Sequence, residues 1–274
     1  MTEQDLEKLE ELPTLPRFVR DILAVVNDKD APLAEVARAL AVDPGTSARV
    51  VAAANAAFFT GYQPIYSVDD AAVRLGLNRV RVLASTALLS AQFRADACPA
   101  FDQARFWCAS MNVAMCASKL ANYVPLETGT PASYLAGLVH NIGVLANAYT
   151  FPQEMNRVLV EAADGAHCIE ALEIDHLGFD HLQSGAAVLR RWELPEPIIT
   201  AVSHHADPDY RGEWSRLTAM IGASVDWYRH GFEGAPGGRI LRGISESKLR
   251  NIAMSCQRED KQLQVFSAQL GSAA

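Results

Sequence analysis

The chain lacks the features that mark membrane and secreted proteins. No uninterrupted apolar run reaches membrane-spanning length, and the first residues, MTEQDLEKLEEL, are charged rather than apolar as in a secretory signal. The five cysteines are an odd number without a C-x-x-C pair, which suits reduced thiols better than a disulfide framework or a zinc ribbon. A formal charge of −8 argues against a nucleic-acid surface. The sequence therefore predicts a cytoplasmic protein that binds neither nucleic acid nor membrane.

The sequence also has almost no period-two alternation of apolar and polar residues, which is the pattern of a half-buried strand. Aromatic residues make up only 8% of the chain, whereas 50% of the 274 residues are hydrophobic and alanine is plentiful. A chain of this length can bury one large core or two small ones. We therefore predict an all-α protein built from many short helices, without a strong internal repeat.

Capping signals predict where several of these helices begin. Asp43-Pro44 combines a capping side chain with a proline at the first helical position. Ser67 with Asp70 three residues later resembles a capping box. Asn78 is predicted to cap the long helix that comes next.

Residues 131–147, PASYLAGLVHNIGVLAN, are the most informative stretch. Thr130-Pro131 is a further cap-and-proline start, and we predict one continuous helix from it. Its apolar stripe consists of Leu135, Leu138, Ile142 and Leu145. His140-Asn141 interrupts this stripe, so an imidazole and an amide are predicted to lie in the core, where each needs a hydrogen-bond partner. A structural role is the simplest account of one such histidine.

The other histidines make a functional account worth weighing. The histidines that fall within or at the ends of core-facing helices are His140, His181, His204 and His205. Adjacent helical side chains diverge by about 100°, so His204 and His205 can reach one cavity only near a helix end or by serving two sub-sites. Asp207-Pro208 supplies such a helix end. Asp226 lies between apolar residues, a costly place for an unpaired carboxylate. Several imidazoles with one inward carboxylate suit zinc, iron or manganese. The spacing in the sequence does not show that these side chains meet at one site, and scattered structural histidines remain the alternative.

The order and spacing of many short motifs resemble the HDOD family, the regulatory branch of the HD phosphohydrolase superfamily, from about residue 12 to 230. The motifs are Leu12-Pro13-Thr14-Leu15-Pro16, Asp43-Pro44 with Ala54-Asn55-Ala56, Ile65-Tyr66-Ser67 with Ala71-Ala72 and Leu75-Gly76, Phe106-Trp107, Gly137 to Gly143 (GLVHNIG), Glu173 with Gly178-Phe179-Asp180-His181 and Gly185, Trp192-Glu193-Leu194-Pro195, and His204-His205. The resemblance implies an all-helical fold in which an HD-like bundle follows a smaller N-terminal helical subregion.

The resemblance also suggests how the chain is divided. We expect an N-terminal helix within residues 1–11, an HDOD domain over residues 12–210, and C-terminal helices over residues 211–274 that pack on the HD-like bundle. Two of these last helices are predicted, one from Ser245 and one from near Arg258.

The chain departs from metal-dependent relatives at two positions. The aspartate that follows the central histidine in those relatives, and that can bridge two cations, is Asn141 here. An earlier histidine of the family pattern is Ala109 here. A neutral amide does not supply the charge that holds a second metal or lowers the pKa of a bound water, so the resemblance implies a degenerate site.

The resemblance leaves a pocket made of His140, Asn141, His181, His204, His205 and Asp226. All of these except Asn141 are candidate ligands of a single divalent or iron ion. Two of them have structural alternatives: His181 as a hydrogen-bonding residue of the cap or loop after Asp180, and Asp226 as a buried partner of His204 or His205. Glu173 and Asp180 are expected at the surface or as outer groups that support a ligand.

The function that follows from these residues is a non-catalytic signalling module acting through signalling proteins or a small phosphorylated ligand. Two alternatives stay open: a metal-dependent phosphohydrolase or phosphodiesterase with one residual ion, and a nucleotide-sensing domain. The C-terminal helices are expected to pack on their own domain, with a homodimer as the alternative.

Overall fold

The computed structural model describes residues 15–28, 30–55, 65–91, 95–128, 130–163, 165 and 167–272. Over these ranges the secondary structure is helical without a strand, which confirms the all-α prediction. The first five helices are α1 Arg17–Asn27, α2 Leu33–Leu40, α3 Pro44–Asn55, α4 Val68–Leu75 and α5 Leu77–Ser90. The others are α6 Gln103–Leu120, α7 Thr130–Val139, α8 Ile142–Thr150, α9 Pro152–Ala162, α10 Ile169–Leu177, α11 His181–Arg191, α12 Glu196–His204, α13 Ser215–Arg229 and α14 Glu246–Ser272.

Helices α1 to α5 pack on one another and form the N-terminal subregion. Two predicted caps hold its helix starts. The Asp43 carboxylate accepts the Thr46 N–H at 3.2 Å, and the Ser67 hydroxyl accepts the Asp70 N–H at 3.0 Å. The cap predicted at Asn78 is wrong, because α5 already begins at Leu77.

Helix α6 is the centre of the following bundle, and it contacts α5, α7, α13 and α14. It is nearly buried along its length, and Trp107 within it is 0% exposed. The two predicted C-terminal helices are one continuous helix, α14, which lies along α6. The sequence from Glu246 to Leu270 contains no glycine or proline that would end it. Of the described helices, none is both long and apolar enough to cross a membrane.

The single helix predicted over residues 131–147 is wrong. Helix α7 ends at Val139 and α8 begins at Ile142, with His140 and Asn141 in the turn between them. Nearly every residue from 133 to 148 is buried. Both helices are therefore apolar on all their faces, and the sequence pattern does not show where the chain changes direction. The N-terminal helix predicted within residues 1–11 lies outside the described residues.

Candidate functional site

Three of the predicted histidines converge in the core of the bundle. His140 follows the last residue of α7, His181 is the first residue of α11, and His205 follows the last residue of α12. All three are buried, and the rings of His140 and His205 meet edge to face with their centroids 5.6 Å apart. His181 joins them because Gly143, three residues after His140, packs against the His181 backbone. We call these three residues the histidine cluster.

Glycines bring the segments of the histidine cluster together. A Cβ added at Gly143 would lie 1.9 Å from the backbone oxygen of His181 and 2.7 Å from the backbone nitrogen of Gly185. A Cβ at Gly222 would lie 2.3 Å from the backbone oxygen of His205. Since real Cβ atoms do not approach this closely, α8 crosses α11 and α13 crosses α12 at positions where only glycine fits. These crossings fix where His181 and His205 stand.

A buried carboxylate supports His181 from behind. Glu173 is 0% exposed, and its Oε2 accepts hydrogen bonds from His181 Nδ1 at 2.6 Å and from the His181 backbone N–H at 2.9 Å. The amide of Asn147 donates to the other carboxylate oxygen at 3.3 Å. Burial disfavours the charged imidazole, but the hydrogen bond and charge of Glu173 outweigh it and raise the pKa of His181.

The expectation that Glu173 lies at the surface is wrong; it is the alternative, a supporting group, that fits. A signal for this was present in the sequence. Ile169, Glu173 and Leu177 are spaced by four residues and so share one face of α10. The cap after Gly178 is provided by Asp180, whose carboxylate accepts the Gln183 N–H at 2.9 Å.

The other two cluster members are held as neutral imidazoles. His140 Nδ1 is 2.7 Å from the Gly137 backbone oxygen, and His205 Nδ1 is 3.0 Å from the Val202 oxygen. A carbonyl can only accept, so Nδ1 carries the proton in both rings. Burial, joined by the charge of neighbouring histidines, lowers the pKa of His140 well below its usual value and that of His205 to about 4.

His204 and Asp226 do not join the cluster. His204 is exposed and stacks on Tyr210, with ring centroids 4.4 Å apart. Asp226 is 56% exposed in its side chain and faces His230, whose Nδ1 is 3.5 Å away. The inward position predicted for His204 is therefore wrong, as is the buried pairing of Asp226 with His204 or His205. Asp226 instead lines, from its exposed side, the cavity that opens beside His205. Asp226 occupies the solvent side of a helix although its neighbours Val225 and Trp227 are buried.

The cluster was tested for its fit to a metal ion. Within the described ranges, no group of three or more His, Cys, Asp or Glu side chains is arranged to hold one. Asn141 is half-buried at the start of α8 and offers only a neutral amide. Glu173 is directed to His181 Nδ1 and to the amide of Asn147, so its carboxylate is not itself placed as a ligand beside the three rings. These residues as they stand do not fit the metal centre that the family resemblance implies.

A cavity of about 700 Å³ opens beside His205. Its charged lining residues are Glu170, Asp207, Asp226, Arg211, Arg229 and Arg239. Acidic and basic groups are thus equal in number, and the cavity has no strong preference for the sign of a ligand's charge.

Comparison with known proteins identifies the fold and the family. The chain is similar to a proposed phosphohydrolase from Shewanella amazonensis, at 24% identity and TM-score 0.71 over 97% of both chains. It is similar to a proposed signal transduction protein from Marinobacter aquaeolei, at 22% identity and TM-score 0.78 over 99% of this chain and 62% of that one. An HDOD domain protein of unknown function from Geobacter sulfurreducens shares 25% identity, with TM-score 0.68 over 99% and 95%.

A curated relative from Treponema pallidum, an uncharacterized protein, is 22% identical over 92% of this chain, and the chain spans about 50% of its length. The model of the HDOD domain matches residues 12–208. The match covers more than half of the chain and contains all three members of the histidine cluster. The chain belongs to the HDOD domain family.

Proposed function

We propose that this HDOD domain is a non-catalytic signalling module that keeps the HD-like scaffold without a working metal centre. The observation that carries the proposal is the make-up of the histidine cluster: three imidazoles with no carboxylate among them, followed by Asn141. Metal-assisted phosphoester hydrolysis needs an ion that lowers the pKa of a bound water and stabilises charge in the transition state. An anionic ligand that would anchor the ion is missing at this position.

The hydrogen bonds of Glu173 support the same proposal. The carboxylate is occupied by three hydrogen bonds, two from His181 and one from Asn147. Both of its oxygens are therefore bonded within the protein. The arrangement is that of a buried structural network, which fixes the positions of three helix ends.

Signalling by such a module means binding a partner or ligand and passing on the change. The Marinobacter neighbour described as a proposed signal transduction protein supports this class. The Shewanella neighbour described as a proposed phosphohydrolase supports the alternative, hydrolysis. Experiments on the cluster distinguish the two.

The sharpest test restores the missing charge. Asn141→Asp should raise the affinity for Mn²⁺ by about tenfold or more, because a carboxylate is a preferred ligand of this ion and an amide is not. Asn251→Asp is the matched control, since Asn251 is exposed on α14 and gains the same charge away from the cluster. Titration calorimetry of wild type and both variants with Mn²⁺ measures the difference.

Activity completes the test. We expect no turnover of bis(p-nitrophenyl) phosphate or of cyclic dinucleotides above the background of His140→Ala, with Mn²⁺ or Fe²⁺ supplied. Stoichiometric metal in the wild-type protein, together with turnover that disappears in His140→Ala, would refute the proposal and favour a residual mononuclear phosphohydrolase.

A further inference from the structure

The C-terminal helix α14 runs antiparallel to α6, and two side-chain contacts fix how the helices are aligned. The amide of Asn112 on α6 donates to the Oδ1 atom of Asp260 on α14 at 2.7 Å. Just beyond the end of α6, the ammonium group of Lys248 lies 4.9 Å from the ring centroid of Tyr123. Later residues of α6 therefore face earlier residues of α14.

This alignment places Cys116 opposite Cys256. Cys116 comes four residues after Asn112, and Cys256 comes four residues before Asp260, which is about one helical turn in each case. Side chains at this spacing share one face of a helix, so both thiols lie in the seam between α6 and α14. They are 0% and 1% exposed, and each is a hydrogen-bonding neighbour of the other. We call these two free cysteines the thiol pair.

The surroundings make the two thiols unequal. The hydrogen bond from Cys116 and the charge of Lys119 lower the pKa of Cys256, although burial opposes them. Glu259, which forms an ion pair with Lys119, offsets the effect of that lysine only in part. Burial, joined by the hydrogen bond and charge of Cys256, raises the pKa of Cys116 well above its usual value. Since the thiolate is the reactive form of cysteine, Cys256 is the nucleophile of the pair and Cys116 is the second thiol.

Two other buried cysteines have different surroundings. The thiol of Cys108 lies 3.7 Å from the carboxylate of Asp260, and burial together with that charge raises the pKa of Cys108 to about 11. The sulfur of Cys98 accepts hydrogen bonds from the backbone of Ala100 and Phe101, and burial raises its pKa as well. Both are therefore expected to stay protonated and unreactive at neutral pH.

Solvent reaches the side chains beside the thiol pair. A cavity of about 650 Å³ is lined by Met115, Ser118 and Lys119 of α6 and by Glu259 of α14. These residues are sequence neighbours of Cys116 and Cys256. A local opening of the seam between the two helices would admit a molecule as small as hydrogen peroxide.

We propose that the thiol pair is a redox site at which hydrogen peroxide forms a disulfide between Cys116 and Cys256. The Cys256 thiolate attacks one peroxide oxygen: an S–O bond forms, the O–O bond breaks, and the hydroxide that leaves takes up the proton that Cys256 lost. Cys116 then attacks this sulfur, so that the S–S bond forms and the S–O bond breaks. The hydroxyl group leaves with the Cys116 proton as a second water. The two thiols together lose two electrons, and one peroxide gains them.

The disulfide joins the last helix covalently to the centre of the bundle. It closes a loop that contains most of the bundle, and a disulfide that closes a long loop stabilises the fold by restricting the unfolded chain. Thiol–disulfide exchange with a dithiol reverses the step. The thiol pair is separate from the histidine cluster, so this proposal does not depend on whether that cluster binds metal.

Peptide mapping of the wild-type protein tests the proposal directly. The folded protein is treated with a modest molar excess of hydrogen peroxide at neutral pH, the remaining thiols are alkylated, and the peptides are analysed by mass spectrometry without reduction. We expect the peptides of Cys116 and Cys256 to be joined, those of Cys98 and Cys108 to be alkylated, and dithiothreitol to restore both thiols of the pair. The midpoint of thermal unfolding should rise by about 5 °C or more on oxidation and fall back on reduction.

Single variants test the assigned roles. In Cys116→Ser, peroxide should leave Cys256 as a sulfenic acid that dimedone captures, because the second thiol is missing. In Cys256→Ser, Cys116 should remain a thiol, because its pKa is raised. Cys98→Ser is the matched control, since Cys98 is equally buried, and it should form the disulfide as wild type does. Cys168→Ser removes the exposed thiol that could join two chains, and it should also form the disulfide.

A joined Cys116–Cys256 peptide in the folded wild-type protein, kept in Cys98→Ser and Cys168→Ser, supports the proposal. Its absence overturns the proposal, as does its appearance only after the protein is unfolded in urea. Joining of either cysteine to a different partner also overturns it, and so does dimedone labelling of Cys116 in Cys256→Ser that equals the labelling of Cys256 in Cys116→Ser. The wild-type result decides the matter even where a serine variant does not fold.

Discussion

Glu173→Gln should reveal how much the buried pair of Glu173 and His181 stabilises the fold. The carboxylate is 0% exposed and accepts His181 Nδ1 at 2.6 Å. Glutamine has nearly the same shape, so the substitution mainly removes the charge. A hydrogen bond to a charged group contributes about 1.5–3 kcal/mol, and we expect Glu173→Gln to lower the free energy of unfolding by about that amount at acid pH.

The effect should depend on pH in a defined direction. Because the folded-state pKa of His181 is raised above its unfolded value of about 6.5, the pair stabilises the fold fully below that pH. This contribution is lost as pH rises through the folded-state pKa. The loss of stability in Glu173→Gln should therefore be largest near pH 5.5 and become smaller towards about pH 9. His140 and His205 titrate in both proteins, so their contributions to the pH dependence of the unfolding free energy largely cancel when the variant is compared with wild type.

Urea denaturation followed by circular dichroism at both pH values measures the difference. Asp175→Asn is the matched control, because Asp175 is exposed on the same helix and loses the same charge without contacting His181. A destabilisation by Glu173→Gln that is the same at both pH values would refute the reasoning, and so would one no larger than that of Asp175→Asn.

Two further predictions concern the scaffold of the histidine cluster. Gly143→Ala should destabilise the protein by about 3 kcal/mol or more in thermal unfolding, because its Cβ would overlap the backbone oxygen of His181. The control, Gly45→Ala, should be neutral or slightly stabilising, since its Cβ would meet its nearest neighbour at 3.5 Å. Equal effects of the two substitutions would contradict the close crossing. The loss of unfolding free energy caused by His205→Ala should be largest near pH 7 and smaller towards about pH 4. The reason is that a folded-state pKa lowered to about 4 makes wild-type stability fall as pH drops below 6.5. The control His204→Ala, at an exposed residue, should change stability by less than about 1 kcal/mol at either pH.

Helix ends were predictable where the signal is local. Asp43 and Ser67 cap their helices as expected, because a short polar side chain reaches N–H groups three residues ahead in any context. Pro152 begins α9 for a similar reason, since its ring fixes φ and its missing N–H is not needed there. The cap predicted at Asn78 failed because the N-cap is Gly76, two residues earlier, and the helix begins at Leu77.

Burial of polar residues was harder to predict from single positions. Asp226 has buried neighbours on both sides, yet faces solvent with His230 one turn later. Glu173 was expected at the surface or as an outer supporting group, and it is a fully buried supporting group. Adjacent residues of a helix point in different directions, so the burial of its neighbours does not predict whether a charged residue is buried. The residues three or four positions away share its face and are the better indicators.

The convergence of the histidine cluster depends on contacts that a single sequence does not reveal. His140, His181 and His205 lie at the ends of three helices. The crossings that bring these ends together occur at Gly143 and Gly222, where the absence of a side chain lets two backbones touch. Glycine appears in a sequence equally for turns, caps and crossings, so nothing local distinguishes these two. The break at His140-Asn141 follows from the same contacts. Helix α8 must leave the direction of α7 for Gly143 to reach the backbone of His181, and the positions of the cluster residues are therefore set by backbone packing.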